Sequence, residues 1–170
     1  MKLVLLPGMD GTGILFEPVL SKFQYMNMVV LPLPERGSQD YQSLSEYVVE
    51  NIPDENFILI AESFSGGIAA NLSCRKIPNL IGIIYVASFL SAPKRIIASI
   101  VSLLPIRAIA LLPVSDIMHR LFCLGWGAGK RELNLFKRAI KSVSDNSLKS
   151  RLGGIAEYKY TGFKSLVPVS

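Results

Sequence analysis

The run Phe57-Ile58-Leu59-Ile60-Ala61 is apolar and β-leaning, and it ends at Glu62-Ser63-Phe64-Ser65-Gly66-Gly67, after which a helix-like run begins with Ile68-Ala69-Ala70. A strand that hands over to a helix in so few residues must turn sharply. Such a turn admits only small side chains beside its apex. With Ser63 at the apex, the residues two before and two after are Ala61 and Ser65, and Gly66 comes next. All are small, so the pattern G-x-S-x-G is approximated rather than met. A serine so placed stands clear of the backbone, within reach of both a base and a carbonyl carbon. A rival frame puts the apex at Ser65, between Ser63 and Gly67. The apolar run ends at Ile60, which starts the turn at Ala61 and favours Ser63 as nucleophile. A structural serine-glycine turn without chemistry is the plain alternative.

The rest of the first half repeats the strand-then-helix rhythm. Lys2 to Leu6 reads as a buried strand closed by Pro7-Gly8, and Ile14 to Phe23 as a helix with Leu15, Val19 and Leu20 inward. Met26 to Leu31 reads as a second strand. Ser43 to Asn51 reads as a helix, with Ser43 as N-cap and Glu46 completing a capping box. Phe57 to Ala61 is the third strand, Gly66 to Arg75 its helix, and Leu80 to Val86 the fourth strand. Apolar strands alternating with helices predict an α/β fold, a mostly parallel sheet with helices on both faces. Sites in such sheets lie beyond the carboxyl ends of the strands. The glycine-rich loop Pro7-Gly8-Met9-Asp10-Gly11-Thr12-Gly13 falls on that edge, as does the Ser63 turn. A backbone N–H from this loop and the N–H after the nucleophile can form an oxyanion hole, with Met9 and Phe64 as donors. Each such donor is worth about 3–4 kcal/mol to a transition state.

After Pro93 the pattern changes to helical segments and turns, which predicts an α-helical lid insertion over the sheet edge. The organisation expected is a core over 1–92, the lid over 93–154 and a return to the core sheet over 155–170. Asp145 to Leu152 carries Leu148 and Leu152 on one face, with Asp145 as a cap and Gly153-Gly154 as a stop. Leu166-Val167-Pro168-Val169 reads as the opening of another strand. The sheet is therefore expected to be truncated at its C-terminal end, with an exposed apolar edge.

With both loops in view, the chain resembles the α/β-hydrolase superfamily. The likeness is to small esterase, lipase and thioesterase-like members, and it rests on Leu5-Leu6-Pro7-Gly8-Met9-Asp10-Gly11-Thr12-Gly13 and Glu62-Ser63-Phe64-Ser65-Gly66. The resemblance implies a serine hydrolase acting on carboxylic esters or thioesters through an acyl-enzyme on Ser63. It also implies an acid and then a histidine from later strands. The sequence ends before both, which reads as a piece of a longer hydrolase or a shortened product with little activity. His119, the only histidine, follows Asp116 by three residues in the apolar segment Ile96–Met118 and beyond, and reads as an ordinary lid histidine. The competing class is a non-catalytic remnant of the hydrolase fold that binds an apolar ligand or a partner.

Composition narrows the remaining classes. Half of the 170 residues are hydrophobic and 18% are charged, which excludes disorder. Mean hydropathy is +0.39, which points to apolar surface that expects a partner, a membrane or a missing piece of chain; the apolar lid suggests an apolar acyl group as substrate and allows peripheral membrane contact. Pro105, Arg107 and Pro113 break the longest apolar stretch, so no transmembrane span is expected. The net charge is +5. Its densest group, Lys130, Arg131, Lys137, Arg138 and Lys141, interleaves with Leu133, Phe136 and Ile140 as the solvated side of an amphipathic helix. No nucleic-acid fingerprint accompanies it. Gly8, Gly11 and Gly13 with Glu35 downstream hint at a nucleotide site, but the spacing is not G-x-G-x-x-G. Cys74 and Cys123 form no metal or CxxC spacing and read as free thiols in the cytoplasm. No signal peptide, cofactor or metal is expected.

Overall fold

The structure, a computed structural model, describes residues 1–88, 129–158 and 165–170. Its elements are β1 (Lys2–Leu6), a single 3-10 turn (Ile14–Phe16), α1 (Glu17–Lys22), β2 (Met28–Val30) and α2 (Tyr41–Glu50). Then come β3 (Phe57–Glu62), α3 (Ser65–Ser73), β4 (Leu80–Val86), α4 (Lys130–Lys141) and α5 (Asp145–Glu157). The four strands form one parallel sheet in the order β2-β1-β3-β4.

Parallel strands buried on both faces explain the near-continuous apolar runs. On one face Val4, Leu6, Leu59, Ala61 and Ile83 pack with Leu44 and Val48 of α2 and with Ile68, Ala69 and Leu72 of α3. On the other, Leu3, Leu5, Ile58 and Ile60 pack with Phe16 and Leu20. Helices thus lie on both faces. The second face is covered beside β1 and β2, whereas Ile84 and Val86 of β4 are exposed. Val169 bridges Ile83 in parallel sense at the free edge of β4. The Ile83 N–H donates to the Pro168 carbonyl (2.9 Å) and the Ser170 N–H to the Ile83 carbonyl (3.0 Å).

Several boundaries differ from those expected, each for a local reason. The N-cap of α2 is Asp40, not Ser43: its carboxylate accepts the Ser43 N–H and the Ser43 hydroxyl, both at 2.8 Å. Asp40 reaches the free amides one turn earlier and makes Ser43 a donor within the first turn. The segment after the first loop starts as a 3-10 turn and buries Phe16, while Val19 is exposed. Ser144 caps α5, accepting the Ser147 N–H, and Asp145 is the first helical residue. That helix runs through Gly153-Gly154 to Glu157. The glycine pair therefore does not stop the helix. In α4, Leu133 and Ile140 are buried and the basic residues lie mainly on the outer side. The lid segment 93–128 lies outside the described residues.

The Asp40 cap carries a measurable share of stability. Hydrogen bonds from Ser38 and then Ser43 hold its carboxyl down at about 2. Its contribution is present above the unfolded value of 3.8 and is lost as pH falls through about 2. Asp40→Ala should cost about 1 kcal/mol in urea unfolding at pH 7, Asp40→Asn much less, and the Ala penalty should shrink as pH approaches 2.

Candidate active site

In the parallel register Leu6 lies opposite Ala61, so the loops after β1 and β3 leave the sheet side by side. The chain turns at Ser63, whose φ is 48°. This left-handed conformation crowds Cβ against the backbone and costs a non-glycine residue roughly 1–2 kcal/mol. Hydrogen bonds on both sides hold it. The Ser63 N–H donates to the Val86 carbonyl (2.9 Å), and the Gly66 N–H donates to the Ser63 carbonyl (3.0 Å). The Ser88 hydroxyl ties off the Ala61 carbonyl at 2.9 Å. Ser63 is half-buried, and its hydroxyl makes no hydrogen bond to a described residue.

Ser65 has a different part. It is fully buried, and its hydroxyl donates to the Pro7 carbonyl. It therefore ties the turn to the first loop, which leaves Ser63 as the serine at the apex. The two glycines of the turn are explained by close approach. A Cβ on Gly66 would lie 2.6 Å from Ser88 Cβ, and one on Gly67 would lie 2.4 Å from the Tyr41 ring.

The first loop passes directly beside Ser63, since a Cβ on Gly8 would sit 3.5 Å from Ser63 Cβ. The loop is braced internally. The Asp10 carboxylate accepts the Thr12 N–H (3.0 Å) and the Thr12 hydroxyl, and the Leu33 N–H donates to the Gly11 carbonyl (2.8 Å). Neither the Met9 nor the Phe64 amide donates to another described residue. The Met9 side chain packs against Ile140, Val143 and Leu148, where α4 and α5 meet this edge.

Two side chains here were not singled out from the sequence. Glu62, next to Ser63, brings its carboxyl within about a van der Waals contact of Gly8: a Cβ there would be 3.6 Å from Glu62 Cδ. Its Oε2 is buried and lacks a hydrogen-bond partner. Burial, and then the nearby Asp10 carboxylate, push this carboxyl up to about 7. A carboxylate closing an apolar strand run is the signal that would have marked it. Arg151 of α5 is the other. It is fully buried, and it donates to the Met9 carbonyl (2.9 Å), the Pro34 carbonyl (3.0 Å) and Gln39 Oε1 (2.9 Å). Burial lowers its pKa.

Asp116, His119 and Cys123 lie outside the described residues. Cys74 is a half-buried free thiol at the end of α3. The Glu35 carbonyl accepts the Ser147 hydroxyl at 2.9 Å, which ties α5 to the loop after β2. Among the described residues no three His, Cys, Asp or Glu side chains converge, and no helix is long and apolar enough to cross a membrane.

Comparison of the folds decides the architecture. MenH from S. aureus superposes with a TM-score of 0.75 at 14% identity, over 99% of this chain and 73% of that one. The chain has the α/β-hydrolase fold. The esterase EaEST from Exiguobacterium antarcticum superposes with a TM-score of 0.76 at 12% identity, over 99% of this chain and 71% of its own. The enol-lactonase from Burkholderia xenovorans LB400 gives 0.73 at 13%, over 99% and 70%. At these identities the likeness is one of fold. No family model matches the sequence, and comparison with curated proteins gives no match.

The buried carboxyl of Glu62 makes stability depend on pH. The unfolded chain gives up this proton near 4.5, whereas the folded chain holds it to about 7. Stability should therefore fall as pH rises between those values, by an amount on the order of 3 kcal/mol, and level off above them. Urea unfolding of Glu62→Gln across pH 4–8 should lack this slope; the same slope in the variant would assign it to another group.

Proposed function

We propose that this chain is a serine hydrolase acting on carboxylic ester or thioester bonds, with Ser63 as nucleophile. The observation that carries the reading is Ser63 itself. It is held at φ 48° between a strand and a helix, and its hydroxyl has no partner among the described residues. Asn79 and Ala87 also have positive φ, but of the three only Ser63 sets a nucleophilic hydroxyl beside the first loop, and residues strained in this way cluster at functional sites. The hydroxyl attacks the acyl carbon, its proton passes to a base, and negative charge builds on the former carbonyl oxygen. The Met9 and Phe64 amides, both without described acceptors, are the donors for that oxygen. Collapse expels the alcohol or thiol and leaves an acyl-enzyme on Ser63, which water then releases.

An apolar acyl group is supported by the apolar sequence of the segment 96–118, while Ile140, Val143 and Leu148 form a buried cluster against Met9 beside the first loop. Helices α4 and α5 lie over the C-terminal edge of the strands there, in keeping with a lid over 93–154. The chain's one histidine, His119, is outside the described residues. A nucleophile without its histidine loses on the order of a millionfold in turnover, while the oxyanion hole retains some catalysis over water. Covalent labelling is for that reason a better test than turnover.

A second reading, a hydrolase-fold remnant that binds an apolar ligand or a partner, is supported by the apolar side chains of Ile84 and Val86 that β4 leaves exposed. Prolonged incubation with a fluorophosphonate, followed by peptide mass analysis, separates the two. The first reading expects modification at Ser63, its loss in Ser63→Ala and its retention in Ser65→Ala. Modification that ignores Ser63→Ala, or none at all, favours the second.

The backbone at Ser63 supplies an independent check. Ser63→Gly removes the Cβ that the left-handed conformation crowds, whereas Ser63→Ala keeps it. The Gly variant should be more stable than the Ala variant by about 1 kcal/mol in urea unfolding, although neither can be labelled. Equal stabilities would mean that the turn relaxes and that φ 48° is not imposed on the serine.

A further inference from the structure

We infer that Arg151 is a positioning residue for the Met9 amide, so that helix α5 sets the geometry of the oxyanion donors; this rests on the reading of Met9 and Phe64 proposed above. The argument starts from the peptide between Gly8 and Met9, which carries the Met9 N–H. Gly8 on its own would let that peptide swivel. Two hydrogen bonds flank it. On one side the Pro7 carbonyl accepts the buried Ser65 hydroxyl. On the other the Met9 carbonyl accepts Arg151 Nη1 at 2.9 Å. The carbonyl of that same peptide, Gly8, accepts the Gly11 N–H at 3.0 Å, so with both neighbouring carbonyls anchored as well the Met9 N–H is held in one direction, and Arg151 supports it twice, at the Met9 carbonyl and against Gly11.

Arg151 is itself built in. Two more of its N–H groups donate to the Pro34 carbonyl and Gln39 Oε1, and Gln39 Nε2 in turn donates to the Pro34 (3.1 Å) and Gly37 (3.2 Å) carbonyls. Gly11, at φ +72°, lies against the guanidinium, and a Cβ there would fall 2.3 Å from Nη1. A fully buried cation is costly and is seldom the most stable way to fill a core position. A planar fork that locks three acceptors from two loops gives geometry that an apolar side chain cannot. The same helix also reaches the second donor. A Cβ on Gly154 would lie 3.8 Å from the Tyr41 ring and 4.0 Å from the Phe64 ring. Tyr41 stacks on Phe64 with centroids 4.9 Å apart, and Tyr158 packs on Tyr41 at 4.7 Å. One helix therefore braces both residues whose amides would face the oxyanion.

The test compares wild type, Arg151→Lys, Arg151→Met and the surface control Arg75→Met by two measurements on the same samples. One is the rate of fluorophosphonate labelling at Ser63, and the other is amide hydrogen exchange, segment by segment. Labelling is expected to slow by about 10- to 100-fold in Arg151→Met and by less in Arg151→Lys, which keeps the charge and can serve one acceptor. Exchange should rise over residues 8–12 while the amides of β3 stay protected, and Arg75→Met should change neither. Labelling at the wild-type rate in both Arg151 variants would overturn the inference and leave the nucleophile assignment standing. Slower labelling with faster exchange throughout β3 would also overturn it, because Arg151 would then act through global stability. Failure of wild type to label at Ser63 would remove the functional reading, and this inference with it. Should Arg151→Met not fold, Arg151→Lys alone decides by the same two criteria.

Discussion

The adjacency of β1 and β3 in parallel register is the constraint on which the site depends. Parallel neighbours send their loops out at the same edge, and with Leu6 opposite Ala61 the two loops emerge level with each other. A shift of one residue would put Leu6 and Ala61 on opposite faces and bury the wrong set of side chains. The apolar pattern that fills the core therefore also fixes how near Gly8 comes to Ser63. The Ser65 hydroxyl on the Pro7 carbonyl closes the remaining freedom between the loops. Core packing, loop position and the serine at the turn's apex are consequences of one register.

Several unfavourable terms gather at this edge. Ser63 occupies a crowded region of backbone space, Glu62 holds a buried carboxyl oxygen without a partner, and Arg151 is a cation removed from water. Each is offset locally by geometry that would be lost if the edge loosened. The Val86 carbonyl and Gly66 amide hold Ser63; burial and Asp10 keep Glu62 protonated towards neutral pH; three oxygen acceptors solvate the guanidinium. Strain and unpaired polarity thus gather at the edge of the sheet that carries the proposed site.

The strands were legible because a buried parallel strand writes itself as a short unbroken apolar run, and Phe57–Ile60 and Leu80–Val86 are such runs. The serine turn was legible because crowding demands small residues, and Ser63 is separated from Ser65 by where the strand stops. Helix caps were less so. Asp40, Ser43 and Ser144, Asp145 are all acceptable cap residues, and the choice between neighbours depends on which side chain reaches the first free amide. Gly153-Gly154 misled because glycine lowers helix propensity by only about 1 kcal/mol per residue, which the tertiary contacts of α5 override. The partners of Ser65 and Arg151 were not legible, since each bonds a backbone carbonyl 58 or 142 residues away. No local pattern encodes a carbonyl's need for a donor.

That last point explains why α5 is anchored by polar groups. A helix laid on a sheet face meets side chains, and an apolar stripe suffices. A helix laid on the edge where strands become loops meets backbone carbonyls with no ladder partner, and burying them unpaired would cost far more than the packing returns. Met9, Pro34 and Glu35 present such carbonyls to α5. Ser147 answers one, and Arg151, with five N–H groups in a fixed plane, answers two and holds Gln39 as well. Leu148 supplies the apolar contact between them. The hydrophobic period of α5 is accordingly weak where its packing is most specific, and the residue that most tightly joins this helix to the sheet is one that composition would assign to the surface.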